Sequence, residues 1–146
     1  MECTPPLGHL INHCGHMVRL FIDMKMREYD TTPVQSHALM FLKRMEGREE
    51  ITQRHLEREL RLKPSTVNGL VDRLEERGLV VRKTSPADAR CRLLALTAAG
   101  HALADAFAET FHQAEAQLSA VFTADEEAQL RALLSRLITN LEVSNK

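Results

Sequence analysis

The chain has no tryptophan, one tyrosine and five phenylalanines. That scarcity removes the aromatic platforms on which single-stranded bases stack. Its three cysteines, Cys3, Cys14 and Cys91, form no CxxC pair, and an odd count closes no disulfide framework. No apolar run approaches the ~20 residues that a membrane span needs. Residues 1–10 have neither the basic leader nor the apolar stretch of a signal peptide. The chain is therefore expected to be cytoplasmic, with no membrane partner. A dominant charge is lacking too: 19 Lys and Arg against 20 Asp and Glu leave a formal net charge of -1 over 146 residues. This excludes a basic polyelectrolyte and an acidic tail protein. GxSxG, P-loop, HExxH and GxGxxG motifs are absent, and no carboxylate pair is spaced for acid–base work. Neither an enzyme nor a cofactor is expected.

What the chain does have is charge arranged in blocks. Residues 51–92 carry ten Lys and Arg against six acids, a local balance of +4, while the flanks, 1–50 and 93–146, sum to -5. A basic middle between acidic ends points to a face built for an anionic polymer. Scattered solvated charge accounts for the same count equally well, so the spacing of the elements has to decide.

Apolar residues at 7, 10, 11, 14, 17, 18, 21 and 24 predict a first helix from residue 7 to about 28. Thr32 followed by Pro33 is a hydroxyl cap with proline at the first helical position, starting a second helix that Gly47 ends. Thr52 caps a short third helix over 53–60. Pro64 opens a fourth helix through about residue 77, with Val67, Leu70, Val71 and Leu74 at i, i+3, i+4, i+7 and Gly78 at its C-terminal cap. Two short apolar runs, 79–81 and 93–96, flank a polar, basic stretch with Ser85-Pro86 and Asp88 as turn formers, which reads as a β-hairpin. Thr97 caps a fifth helix to about residue 119. Thr123 and Glu126 are spaced as a capping box for a sixth helix with the stripe Leu130, Leu133, Leu134, Leu137, Ile138, Leu141.

Helix, tight turn, helix, hairpin is the order of a winged helix-turn-helix. The turn Arg61-Leu62-Lys63 has the length the motif uses, and the second helix of such a pair enters the major groove. The inward stripe leaves Ser65, Thr66, Asn68, Gly69, Asp72 and Arg73 facing out. Ser65 and Thr66 suit phosphate or base edges, Asn68 can pair bidentately with adenine, and Arg73 has the reach of a phosphate clamp.

Two stretches, Leu62-Lys63-Pro64-Ser65-Thr66-Val67 and Val71-Asp72-Arg73-Leu74-Glu75-Glu76-Arg77-Gly78-Leu79-Val80, resemble the MarR family of bacterial transcription regulators. So do Ser85-Pro86-Ala87-Asp88-Ala89-Arg90, Leu96-Thr97-Ala98-Ala99-Gly100 and Thr32-Pro33-Val34-Gln35. The resemblance covers most of residues 32–100. It implies a fold that is mainly α with a small β-hairpin wing, a winged helix-turn-helix with flanking N- and C-terminal dimerisation helices. The whole of 1–146 is then one domain, with 32–96 as its DNA-binding part and 1–31 and 97–146 as its helical dimerisation part. It further implies a homodimeric, ligand-responsive repressor on a palindromic operator. Ser65, Thr66 and Asn68 fall where the family reads the major groove, Arg90 on the wing arginine that enters the minor groove, and Asp88 on the acid that helps orient it. Narrow A·T-rich minor grooves do favour an inserted arginine. The full expected DNA-binding set is Gln53, Arg54, Lys63, Ser65, Thr66, Asn68, Arg73, Lys83, Asp88, Arg90 and Arg92. Gly69 departs from the family, which often carries a larger polar residue there.

A fifth helix about 35 Å long, at ~1.5 Å per residue, overruns a winged-helix domain. Pairing it and the leucine-rich sixth helix across a two-fold axis covers them and spaces two recognition helices ~34–36 Å apart. In the family a small amphipathic or phenolic effector often sits between the DNA-binding and dimer parts; by position that cleft takes His13, Met17, His37, Phe41 and Phe107. Alternatives remain. Cys14 or the cluster His9, His13 and His16 would make the chain a redox or metal sensor, although no metal site is expected, and Cys3 and Cys91 read as bystanders. A winged-helix module for protein contacts is a further alternative, opposed by Asn68, Arg73 and Arg90 all pointing outward.

Overall fold

Helix caps and apolar spacing set the order of elements. In the computed structural model, which describes residues 4–145, α1 (Leu7–Met26) leads through a 3₁₀ turn (Arg27–Tyr29) to α2 (Pro33–Met45). Helices α3 (Gln53–Leu60) and α4 (Pro64–Glu76) follow, then antiparallel strands β1 (Val80–Thr84) and β2 (Arg92–Leu96), and helices α5 (Ala98–Ser119) and α6 (Ala124–Ser144). Cys3 lies outside the described residues. Thr32 Oγ1 accepts from the Gln35 N–H at 3.2 Å while Gln35 Oε1 accepts from the Thr32 N–H at 3.4 Å, satisfying donors that the first turn of α2 leaves open. Thr123 and Glu126 do the same for α6, at 3.2 and 2.9 Å. At α3 the Thr52 N–H donates instead to Nδ1 of His55, at 2.9 Å. No helix among the described residues is long and apolar enough to cross a membrane.

Two details differ from the sequence expectation. Helix α1 ends at Met26 rather than near residue 28, because the chain tightens into the 3₁₀ turn and Asp30 then takes a left-handed conformation (φ 47°). Strand β1 starts one residue later than its apolar run and continues through Arg82, Lys83 and Thr84, paired from Val80 opposite Leu96 to Thr84 opposite Arg92. The hairpin also gains an outer partner: Thr52 forms a β-bridge with Leu93, and the Leu94 N–H donates to the Ile51 carbonyl at 2.7 Å.

The chain divides into two compact units, one ending at Phe111 and one beginning at His112. In the first, Leu39, Leu56, Val67, Val71, Leu74, Val80 and Phe107 are fully buried. Each buried side chain of this size contributes about 1.5–3 kcal/mol through removal from water. Tyr29 meets Phe107 edge-on, with ring centroids 5.0 Å apart, and its hydroxyl lies 2.6 Å from Thr110 Oγ1. The outer face of α1 stays open, with Leu7, Leu10, Met17, Leu20 and Met24 exposed.

In the second unit, Arg131 of α6 reaches Glu127 at 2.6 Å and Glu115 of α5 at 2.7 Å. The α6 stripe has no cover: Leu133 is 53%, Ile138 55% and Leu141 50% exposed, and no residue of the helix is buried.

The base of the hairpin is closed by a junction within the first unit. The Thr97 N–H donates to the Leu79 carbonyl at 3.1 Å, its hydroxyl donates to the Gly78 carbonyl at 2.6 Å, and the Gly100 N–H donates to Thr97 Oγ1 at 3.0 Å. Gly100 is buried against this junction, and a Cβ there would overlap the Leu79 carbonyl oxygen and crowd Leu96. Gly100→Ala is therefore expected to destabilise the fold by about 1–3 kcal/mol or more, as overpacking against backbone does, although alanine is ordinarily the better helix former. Thermal denaturation checks this; an unchanged or raised melting temperature would contradict the contact.

Candidate nucleic-acid interface

Helix α3 ends at Arg61 in a left-handed conformation (φ 53°), which bends the chain so that the Leu62 N–H returns to the Glu57 carbonyl at 3.2 Å. Lys63 is extended, provides no side-chain cap, and passes into α4 at Pro64. Burial of Val67, Leu70, Val71 and Leu74 fixes the roll of α4 and leaves Ser65, Thr66, Asn68, Asp72 and Arg73 exposed. Gly69 is half-buried. A Cβ at that position would sit 3.5 Å from the Arg73 guanidinium, an ordinary contact, so the packing does not demand glycine.

Asn68 is held on both ends of its amide. Nδ2 donates to Asp72 at 3.4 Å, and Oδ1 accepts from Nη2 of Arg82 at 3.3 Å. Arg82, on β1, also pairs with Asp72 at 2.8 Å and Glu75 at 3.6 Å. Its guanidinium is therefore directed at α4. In the sequence Arg82 is only one more cation, since neither hydropathy nor spacing reveals a partner on another element.

In the wing loop, Ser85 is buried and its N–H donates to the Cys91 carbonyl at 2.9 Å. Asp88 Oδ1 accepts from the backbone N–H of Arg90 at 2.9 Å. The acid thus shapes the turn that carries Arg90, through the backbone and not through the guanidinium. Among the described residues no carboxylate pairs with that guanidinium, and Arg90 is exposed, as are Lys83 and Arg92 on the strands, Lys63 before α4 and Arg54 on α3. Gln53 is half-buried.

A cavity of about 370 Å³ lies between α1, α2 and α5, lined by Ile22, Met26, Met40, Phe41 and Phe111 with Asp23, His37 and Arg44. Of the cleft residues expected from the sequence, it brings together His37 and Phe41. His13 and Met17 are not in its lining, and Phe107 is fully buried in the core, where Tyr29 covers it. His37 and Arg44 converge on Glu59 of α3, at 3.1 and 3.0 Å. The His37 hydrogen bond, assisted by Arg44 and opposed by burial, holds the Glu59 carboxyl below its usual range.

On α1 the rings of His9 and His13 stack with centroids 6.5 Å apart, and Cys14 is exposed. Among the described residues no three His, Cys, Asp or Glu side chains are grouped to hold a metal ion. Cys91 is a half-buried free thiol.

A family model described as MarR family matches residues 29–90. The chain is 26% identical over 132 residues, 90% of its length and 93% of the other, to the HTH-type transcriptional repressor Rv2887 of Mycobacterium tuberculosis. It is similar to Staphylococcus aureus MepR in its crystal structure with DNA, with a TM-score of 0.80 and 26% identity over 94% of this chain and 99% of that one. MepR bound to ethidium bromide matches with a TM-score of 0.67 and 26% identity over 94% and 97%.

The carboxylate shared by His37 and Arg44 gives a pH-dependent expectation. A depressed folded pKa adds stability above the usual carboxylate pKa of about 4.3, and that stability is lost as pH falls through the folded value. Glu59→Gln should lower stability at pH 7 by about 0.2–1 kcal/mol, the scale of partly exposed ion pairs. Melting curves taken down to acid pH should show the gap closing; a gap that persists at full size would remove Glu59 from this role.

Proposed function

We propose that the chain, whose residues 29–90 match the MarR family model and whose fold is similar to that of DNA-bound MepR, is a cytoplasmic, ligand-responsive repressor of that family that binds a palindromic operator as a homodimer. The observation that carries this reading is the division of α4 into a buried apolar stripe and an exposed face of Ser65, Thr66, Asn68 and Arg73, beside an unpaired Arg90 on the wing. In this reading α4 enters the major groove, where Ser65, Thr66 and Asn68 meet base edges and Arg73 meets phosphate. Arg90 enters the minor groove from a turn shaped by Asp88, and Gln53, Arg54, Lys63, Lys83 and Arg92 hold the flanking backbone. Residues 32–96 form the DNA-binding part; 1–31 and 97–146 join two chains.

The dimer is supported by apolar side chains that one chain leaves uncovered, Leu133, Leu134, Ile138 and Leu141 on α6 and Leu10, Met17 and Leu20 on α1. An apolar face of this extent on a soluble regulator favours a partner of the same kind. The effector reading is supported by the cavity beside α2, apolar in most of its walls and polar at Asp23, His37 and Arg44. MepR, of similar fold, is a precedent for holding a small aromatic molecule.

Mobility shift with double-stranded promoter DNA tests the function directly. Arg90→Ala should weaken operator binding by about 1–3 kcal/mol and reduce the salt slope by about 1; unchanged affinity and slope with the dimer intact would take Arg90 off the contact surface. Leu134→Asp combined with Leu137→Asp should dissociate the dimer and lower DNA affinity with it, because charge buried unpaired at an interface is costly. Light scattering that still reports a dimer would place the seam elsewhere.

A further inference from the structure

Arg82 lies within the basic stretch, yet it is poorly placed to meet phosphate. Its side chain is 13% exposed, whereas its partners Asp72 and Glu75 are about half exposed. Asn68, Asp72 and Glu75 stand at i, i+4 and i+7, one line along successive turns of α4. From the facing strand, Arg82 bonds all three: Nη1 to Asp72 at 2.8 Å and Glu75 at 3.6 Å, Nη2 to Asn68 Oδ1 at 3.3 Å, and its backbone N–H to Glu75 at 3.2 Å. A rigid fork with several donors suits such a set; a single ammonium does not.

The chemistry at Asn68 is more specific than a clamp. Arginine only donates and an ionised aspartate only accepts. Arg82 therefore bonds only the oxygen of the Asn68 amide, and Asp72 only its nitrogen. A turn of 180° about the last torsion of Asn68 would oppose donor to donor at Arg82 and acceptor to acceptor at Asp72. Only one amide orientation satisfies both neighbours. The order of acceptor and donor on an asparagine amide is what matches it to adenine, whose N6 donates and whose N7 accepts.

We infer that Arg82 is a positioning residue for base recognition: together with Asp72 it presets the amide orientation of Asn68, and so helps determine which base the recognition helix prefers without itself touching DNA. This rests on the reading that Asn68 meets a base edge, and the experiment separates the two.

Selection of preferred sites from randomised duplex DNA is carried out with the full chain and with Asn68→Ala, Arg82→Gln and Asp72→Asn, alongside binding to the selected site at several salt concentrations. Arg82→Gln can donate or accept and no longer dictates the orientation. It should lose about tenfold in discrimination at the same position that Asn68→Ala relaxes, within the range set by one bidentate pair, with the salt slope unchanged. Asp72→Asn, which retains Arg82, should relax that same position, and it keeps the inference testable if Arg82→Gln folds poorly. Added to Asn68→Ala, Arg82→Gln should cause no further loss of preference there. A purely structural role would lower thermal stability and leave base preference alone, which overturns the inference. A salt slope that falls by about 1 in Arg82→Gln would make Arg82 a phosphate contact and overturn it as well. Wild-type preference in both Arg82→Gln and Asp72→Asn, with Asn68→Ala relaxed, overturns the inference alone; wild-type preference in Asn68→Ala overturns the base-reading role along with it.

Discussion

Everything the exposed face of α4 can do depends on the apolar contact made by its other face. Val67, Val71 and Leu74 are fully buried and Leu70 nearly so, and a helix anchored at four points over two turns has little freedom to roll. Packing at this density turns a hydrophobic preference into an angular constraint. Ser65, Thr66 and Asn68 then share one outward sector, and the left-handed Arg61 sets the bend by which α3 delivers α4 to that position.

The polar interactions are layered on this scaffold, and they divide the cations into two groups. Arg82 is committed to α4, Arg77 donates to Gln35 Oε1 at 3.1 Å, and Arg44 is committed to Glu59. Arg54, Lys63, Lys83, Arg90 and Arg92 remain exposed. Within residues 51–92, whose balance is +4, Arg77 and Arg82 are thus tied to neighbouring side chains, and only the unpaired group is free to displace counterions from a polyanion.

Much of this was legible in the chain because the signals are local. Thr32 caps α2 ahead of Pro33, the pair Thr123–Glu126 caps α6 as its three-residue spacing requires, and the 67/70/71/74 stripe is buried as its period demands. What could not be read depends on partners far apart in sequence. The pairing of Ile51 and Thr52 with β2 joins segments about forty residues apart, and a two-residue bridge has no period to detect. Phe107 looked suitable for a cleft because helical spacing gives the side of a helix and not the depth of burial; the edge-on Tyr29 ring makes it core instead. Gly100 was visible only as part of a motif, and its requirement appears once the Leu79 carbonyl is seen against it.

The same junction has a consequence for how the wing can evolve. With Gly78 and Leu79 fastened to Thr97, and Gly100 closed over them, the two ends of the hairpin are held together whatever lies between. Lengthening a loop whose ends are already fixed costs only about 0.6 kcal/mol for each doubling. Insertions and deletions within the exposed stretch 86–90 are therefore expected to leave the core and the bearing of α4 undisturbed. The wing is the part of this fold in which length, reach and charge can drift independently of the rest, without first finding a compensating change inside.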